Sequence, residues 1–118
     1  RVTLFSGGTT TDYLRTERAG AIPTVGNWYH ICVTWAGGTA HPKVYFDGVL
    51  GTQNTTSGGT FVSMNDTTQP CLFGKFRTGG TAISLDGKMD EVYLFNRELT
   101  STEAQFCYDE GVAGRTLI

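Results

Sequence analysis

The chain has little of what most catalytic, metal-binding and nucleic-acid functions draw on. Its 118 residues include only two histidines and three cysteines. A tetrahedral zinc site needs four such ligands. His30 and Cys32 alternate along one stretch, and only His41 and Cys71 are left as plausible candidates to complete a set. Positive charge is sparse and scattered: nine Lys and Arg against eleven Asp and Glu give a net charge of −2 and a pI near 5.6. Arg15, Arg18, Lys43, Lys75, Arg77 and Lys88 form no stripe, so no nucleic-acid partner is expected. No apolar run approaches the roughly 20 residues of a membrane helix, so no membrane insertion is expected. No signal peptide is visible. The first residue is Arg1 rather than Met, and the chain reads as a processed piece, a fragment or part of a larger protein.

What is present is glycine, threonine and short runs of β-branched and aromatic residues. Sixteen glycines and a 39% hydrophobic fraction describe a globular chain of short strands and tight turns. The length accommodates a single domain over 1–118. Trp28 to Trp35 forms the clearest strand pattern, with Tyr29, Ile31, Val33 and Trp35 on one face and Trp28, His30, Cys32 and Thr34 on the other. The first set is the expected core face. Lys43 to Asp47 and Val49 to Gln53 flank Asp47-Gly48, the dipeptide that suits a type I′ hairpin. Further strands are expected at Arg1 to Phe5, Asp12 to Thr16, Thr60 to Ser63, Cys71 to Phe76, Ile83 to Leu85 and Met89 to Phe95. Turns are expected at Ser6 to Thr9 and around Gly79-Gly80.

One helix is legible. Thr100-Ser101-Thr102-Glu103 spells a capping box, in which the Thr100 hydroxyl and the Glu103 carboxylate satisfy each other's backbone amides. Leu99 and Ala104 sit at the hydrophobic-staple positions. Ala104, Cys107 and Tyr108 share a helical face, and Gly111 is the expected stop. The fold class is therefore all-β, an antiparallel two-sheet sandwich with one short C-terminal helix.

Three blocks in order carry a resemblance: Trp28-Tyr29-His30-Ile31-Cys32-Val33-Thr34-Trp35, then Tyr45-Phe46-Asp47-Gly48, then Gly87-Lys88-Met89-Asp90-Glu91-Val92-Tyr93-Leu94-Phe95-Asn96-Arg97-Glu98-Leu99-Thr100. Over about residues 21–111 the chain resembles the laminin G-like and pentraxin-like modules of the concanavalin A-like superfamily. The resemblance implies a jelly-roll sandwich in a secreted, cell-surface or virion protein. It also implies more strands ahead of the first block than the 27 residues here supply. In pentraxins the cysteine matching Cys32 pairs with one in those earlier strands. No earlier cysteine exists in this chain, so either the partner of Cys32 lies outside it or Cys32 is a buried thiol.

No catalytic constellation is visible. Jelly-roll glycosidases need two carboxylates on one strand face of a cleft, and their E-x-D-x-x-E pattern is absent. Asp90 and Glu91 are adjacent, so along a strand they point to opposite faces. His30 and Cys32 lack an orienting third group. The resemblance makes calcium an expectation, because many such modules hold Ca²⁺ at the rim through loop oxygens. Asn65 and Asp66 offer two groups in one loop, Asp12 or Asp109 can approach from elsewhere, and Asp90 matches the family's D-E-V aspartate. As turn formers and structural acceptors the same residues have a simpler explanation.

For sugar binding, Tyr45 and Lys43 share a strand face, with His41, Arg77, Asn54 and Tyr93 as contributors. Trp28 and Trp35 are read as core residues. The triplets at Asn54 and Asn65 are glycosylation sequons in expected loops. The expected function is a non-catalytic binding or adhesion module for a glycan or an extracellular protein. The alternative is a structural module of a virion, fibre, sheath or appendage, where other subunits cover its exposed sheet edges.

Overall fold

The computed structural model describes residues 1–6, 11–20, 24–64, 72–78 and 81–114. They form β1 (Val2–Phe5), β2 (Tyr13–Arg18), β3 (Ile31–Thr34), β4 (Lys43–Phe46), β5 (Gln53–Gly58), β6 (Lys75–Thr78), β7 (Thr81–Ser84) and α1 (Ser101–Val112). Every ladder is antiparallel: β1-β2-β5, β3-β4 and β6-β7. The expected Ser6 to Thr9 turn, Cys71, Gly79-Gly80, Asn65 and Asp66 fall wholly or partly outside the described residues.

The Asp47-Gly48 turn forms as its chemistry dictates. Both residues hold positive φ, 50° and 76°, as a type I′ turn requires. Phe46 and Val49 exchange backbone hydrogen bonds of 3.0 Å across it. The expected second arm, Val49 to Gln53, ends after that one rung. Gly51 sits at φ 60° and turns the chain away, so that Gln53–Gly58 pairs with β2 instead. The Gln53 side chain then substitutes for the missing ladder. Its Oε1 accepts from Val44 N at 3.1 Å, and its Nε2 donates to Val44 O at 3.0 Å.

Positive φ also explains two other departures. The expected Met89 to Phe95 strand does not form: Glu91 has φ 50°, and its amide donates to Asp90 Oδ1 at 2.9 Å. The expected strand from Cys71 begins only at Lys75, after Gly74 at φ 66°. Thr60 to Ser63 forms no strand because its backbone is held by side chains. Thr60 N donates to Asp12 Oδ1 at 3.0 Å, and Val62 and Ser63 donate to the Ser6 hydroxyl.

The largest correction concerns β3. Ile31 and Val33, expected in the core, are 63% and 46% exposed, whereas Thr34 is 4% exposed. Cross-strand pairing sets Cys32 opposite Tyr45 and Val33 opposite Val44, so His30, Cys32 and Tyr45 share one face. Helix α1 covers that face: the His30 and Tyr108 rings lie 6.0 Å apart, and Ala104 and Cys107 are buried. On the other face β2 reaches β4, burying Val44 and placing Arg18 over Phe46 at 5.5 Å. That leaves the β3 half of the face uncovered. Trp28, also expected in the core, is exposed, while Trp35 packs edge-on against buried Phe61.

The helix starts where the capping box places it. Thr100 Oγ1 accepts from Glu103 N at 3.2 Å, and Glu103 Oε2 accepts from Thr100 N at 2.8 Å. Leu99 is buried as the staple residue. At the other end the helix runs past Gly111 to Val112. One glycine costs a helix only about 1 kcal/mol, and the left-handed position falls instead at Gly114, φ 67°.

Arg97 donates to both Glu103 oxygens, at 3.0 and 2.7 Å. That pairing, followed by the Thr100 amide and hydroxyl, lowers the Glu103 carboxyl from 4.5 to about 2. A depressed acid stabilises the fold fully above its unfolded value and loses that contribution as pH falls through the folded value. Acid titration of helix stability between 4.5 and about 2 should therefore flatten in Glu103→Gln. Thr100→Ala should lower unfolding stability by about 1 kcal/mol near neutral pH. Urea denaturation followed by circular dichroism reads both, and an unchanged midpoint in Thr100→Ala would mean that the cap does not hold the helix.

Candidate binding site

Two shallow grooves flank the first turn of α1 and share Ser101. One, of about 530 Å³, runs between the Asp47-Gly48 turn and the outer side of the helix. Gly48 and Val49 form one bank, and Ser101, Thr102, Gln105, Phe106 and Asp109 form the other. The second, of about 350 Å³, is lined by Lys43, Tyr45 and Leu50 against Glu98 to Ser101.

The first groove is held by the turn. A Cβ on Gly48 would lie 2.7 Å from Gln105 Oε1, so the glutamine side chain would have to shift for a larger residue, and the positive φ there favours glycine. Asp47 anchors the turn to the strand entering β3: His30 N donates to Asp47 Oδ1 at 2.8 Å, and Asp47 N donates to His30 O at 2.9 Å. Burial lowers the His30 pKa, favouring the neutral ring in the position the W-x-H motif gives it. Gln105 Nε2 donates to Asp109 Oδ1 at 2.9 Å, which orients the amide along the helix.

The residues expected to bind sugar are dispersed. Tyr45 and Lys43 do line one groove, but Tyr45 is only 2% exposed, so its ring offers no open platform. Lys43 Nζ donates to Glu98 Oε1 at 2.9 Å. That bond and the Glu98 charge raise the lysine's pKa. His41 docks on the other sheet, with Nε2 3.0 Å from Ser57 Oγ and Nδ1 3.2 Å from Arg15 O. Asn54 is exposed on β5, so its sequon lies on an edge strand rather than in a loop. Arg77 is on β6, in register with Ala82, and Tyr93 is half-buried.

The expected calcium ligands do not assemble among the described residues. Asp90 uses Oδ1 to hold the Glu91 amide, Asp12 braces Thr60, and Asp109 accepts from Gln105. No three His, Cys, Asp or Glu side chains converge among the described residues. Phe106, Gln105 and Thr102 escaped the sequence reading. Their signal was an aromatic residue on the side of α1 opposite Ala104 and Cys107, where a polar residue is usual.

A laminin G family model, described as the concanavalin A-like lectin/glucanases superfamily, matches residues 1–105. The chain belongs to this superfamily. Its fold is accordingly the antiparallel concanavalin A-like sandwich. No curated protein sequence matches it significantly. Among solved structures it is similar to an S-layer domain-containing protein (residues 221–444) from Clostridium thermocellum, with 21% identity and a TM-score of 0.57. The match covers 91% of this chain and 61% of that one, so this concanavalin A-like domain spans under two thirds of the longer structure.

Cys32, half-buried on β3, and buried Cys107 on α1 are both free thiols. Burial raises both pKa values; the Cys107 charge adds to the rise at Cys32, and the Glu103 charge to that at Cys107. Raised thiols hold little thiolate near neutral pH and react slowly. In a Cys71→Ser background, an aromatic disulfide reagent should label both cysteines more slowly in the native protein than in urea. The rise of rate with pH should also shift upward in the native state. Equal native and denatured rates would show that helix and strand do not bury them.

Proposed function

We propose that this domain is a non-catalytic binding and adhesion module of an extracellular or surface-exposed protein, and that its ligand is a carbohydrate. The observation that carries this reading is the open surface around the start of α1. Hydroxyl, amide and carboxylate groups sit there beside apolar side chains, the combination that sugar recognition uses. The nearby carboxylates are tied to donors: Glu98 to Lys43, Glu103 to Arg97 and Asp109 to Gln105. These three described carboxylates therefore offer no unengaged pair of the kind glycoside cleavage uses. Superfamily membership supports the binding role, and fold alone does not choose the ligand.

A specific observation favours a second reading, assembly with protein subunits. Ile31 and Val33 lie exposed on one face of β3, and Leu85, Val92, Leu94 and Phe95 are exposed farther on; contiguous exposed apolar surface marks association sites. The similar structure comes from an S-layer domain-containing protein, which fits a surface layer as the setting.

Screening the folded chain on a glycan array, with calcium and again with chelator, separates these readings. A sugar signal lost on chelation establishes a calcium-dependent lectin, with Asp66, Asn65 and Asp90 as the first ligands to replace. A signal indifferent to chelator establishes a metal-free one. Silence under both conditions, together with a mass by light scattering that grows with concentration, replaces the glycan reading with assembly.

A further inference from the structure

We infer that the groove between the Asp47-Gly48 turn and α1 is a subsite for a neutral saccharide, with Phe106 as its stacking platform. This rests on the carbohydrate reading above and gives it a place and a ligand class. Phe106 is 57% exposed on a helix whose opposite side buries Ala104 and Cys107. More than half of the ring is therefore open to solvent, where it can meet the apolar C–H face of a pyranose. Around it stand groups that match sugar hydroxyls: the Ser101 and Thr102 hydroxyls, the Gln105 amide and the Asp109 carboxylate.

Their placement is constrained. The Gln105 amide bonds Asp109 at 2.9 Å and rests close against Gly48. A preorganised amide and carboxylate bind with less ordering cost than free side chains. The groove volume, about 530 Å³, falls within the range of roughly 300–1,000 Å³ typical of small-ligand sites.

Charge selects among sugars. Among the described residues Asp109 is the one ionisable side chain lining the groove, and the cations just before α1 and on β4 are engaged elsewhere, Arg97 with Glu103 and Lys43 with Glu98. An anionic sugar would meet a carboxylate with no lysine or arginine in the lining to answer it. Neutral hexoses meet no such repulsion.

The test is a ¹⁵N-NMR titration of the chain with methyl glucoside, methyl galactoside and methyl mannoside, with sialyllactose as the acidic comparison. Expected are shifts of the Gln105 side-chain amide and of backbone amides at 48, 49 and 101–106 with at least one neutral glycoside. Affinity should fall roughly tenfold in Phe106→Ala, fall in Gln105→Ala, and survive in Phe106→Tyr. Val112→Ala, exposed on the same helix outside the groove, should bind as the parent does. Each variant's folding is checked by its thermal melt, and Phe106→Tyr and Gln105→Ala keep the test decisive if Phe106→Ala does not fold.

Shifts confined to another surface, or undiminished binding by Phe106→Ala, would overturn this subsite and leave the carbohydrate reading intact. Preferential binding of sialyllactose would overturn the neutral class. Absence of binding here and on the full array would overturn both readings together.

Discussion

The seating of α1 on the β3-β4 face is the constraint on which the rest of the domain depends. Burying Tyr45 and Leu99 contributes on the order of 1.5–3 kcal/mol each, a large share of the stability available to a domain of this size. The same contact fixes three other things. It makes the His30-Cys32-Tyr45 side of the sheet the inner one and encloses Cys32 and Cys107. It also brings the outer rim of the helix against the Asp47-Gly48 turn. The capping box matters for this reason: α1 has only 12 residues, too short to persist in water without packing and caps.

Much of this was legible because it is local chemistry. Asp-Gly selects a positive-φ turn, and Thr100 to Glu103 selects a helix start, whatever lies around them. β1 and β4 also fall where composition put them, and β2 runs two residues past its expected end. Superfamily membership was readable from three motif blocks in order, the W-x-H strand, the Asp-Gly turn and the Asp90 segment.

What was not legible depended on partners. Period-two alternation says that Tyr29, Ile31, Val33 and Trp35 share a face, but not which face α1 will cover. The helix chose the side carrying His30 and Cys32, and the apolar row stayed open. The burial of Tyr45, expected as a binding aromatic, was hidden for the same reason, because a strand tyrosine looks alike whether a helix lies over it or not. His41 and Lys43 were chosen for their chemistry, yet each is engaged by a residue distant in sequence, Ser57 and Glu98. The Glu91 kink was hidden too, since positive φ at a glutamate has no sequence signature.

The open row on β3 and the exposed groove beside α1 ask different things of a partner. An apolar strand face gains from any surface that excludes water, and its specificity is low. The groove combines one aromatic ring with oriented polar atoms, so a partner lacking matching hydroxyls would desolvate the bonded Gln105–Asp109 pair without satisfying its remaining donors and acceptors, a penalty of about 1–3 kcal/mol for each group left unsatisfied. The two surfaces are built on opposite sides of the β3-β4 pair, because β3 shows its apolar row on the face that α1 does not cover. One domain can therefore be held in a larger assembly by its bare sheet face while the groove still faces solvent. On this geometry adhesion and assembly are compatible roles of a single sandwich, divided by the sheet that the helix covers on one side only.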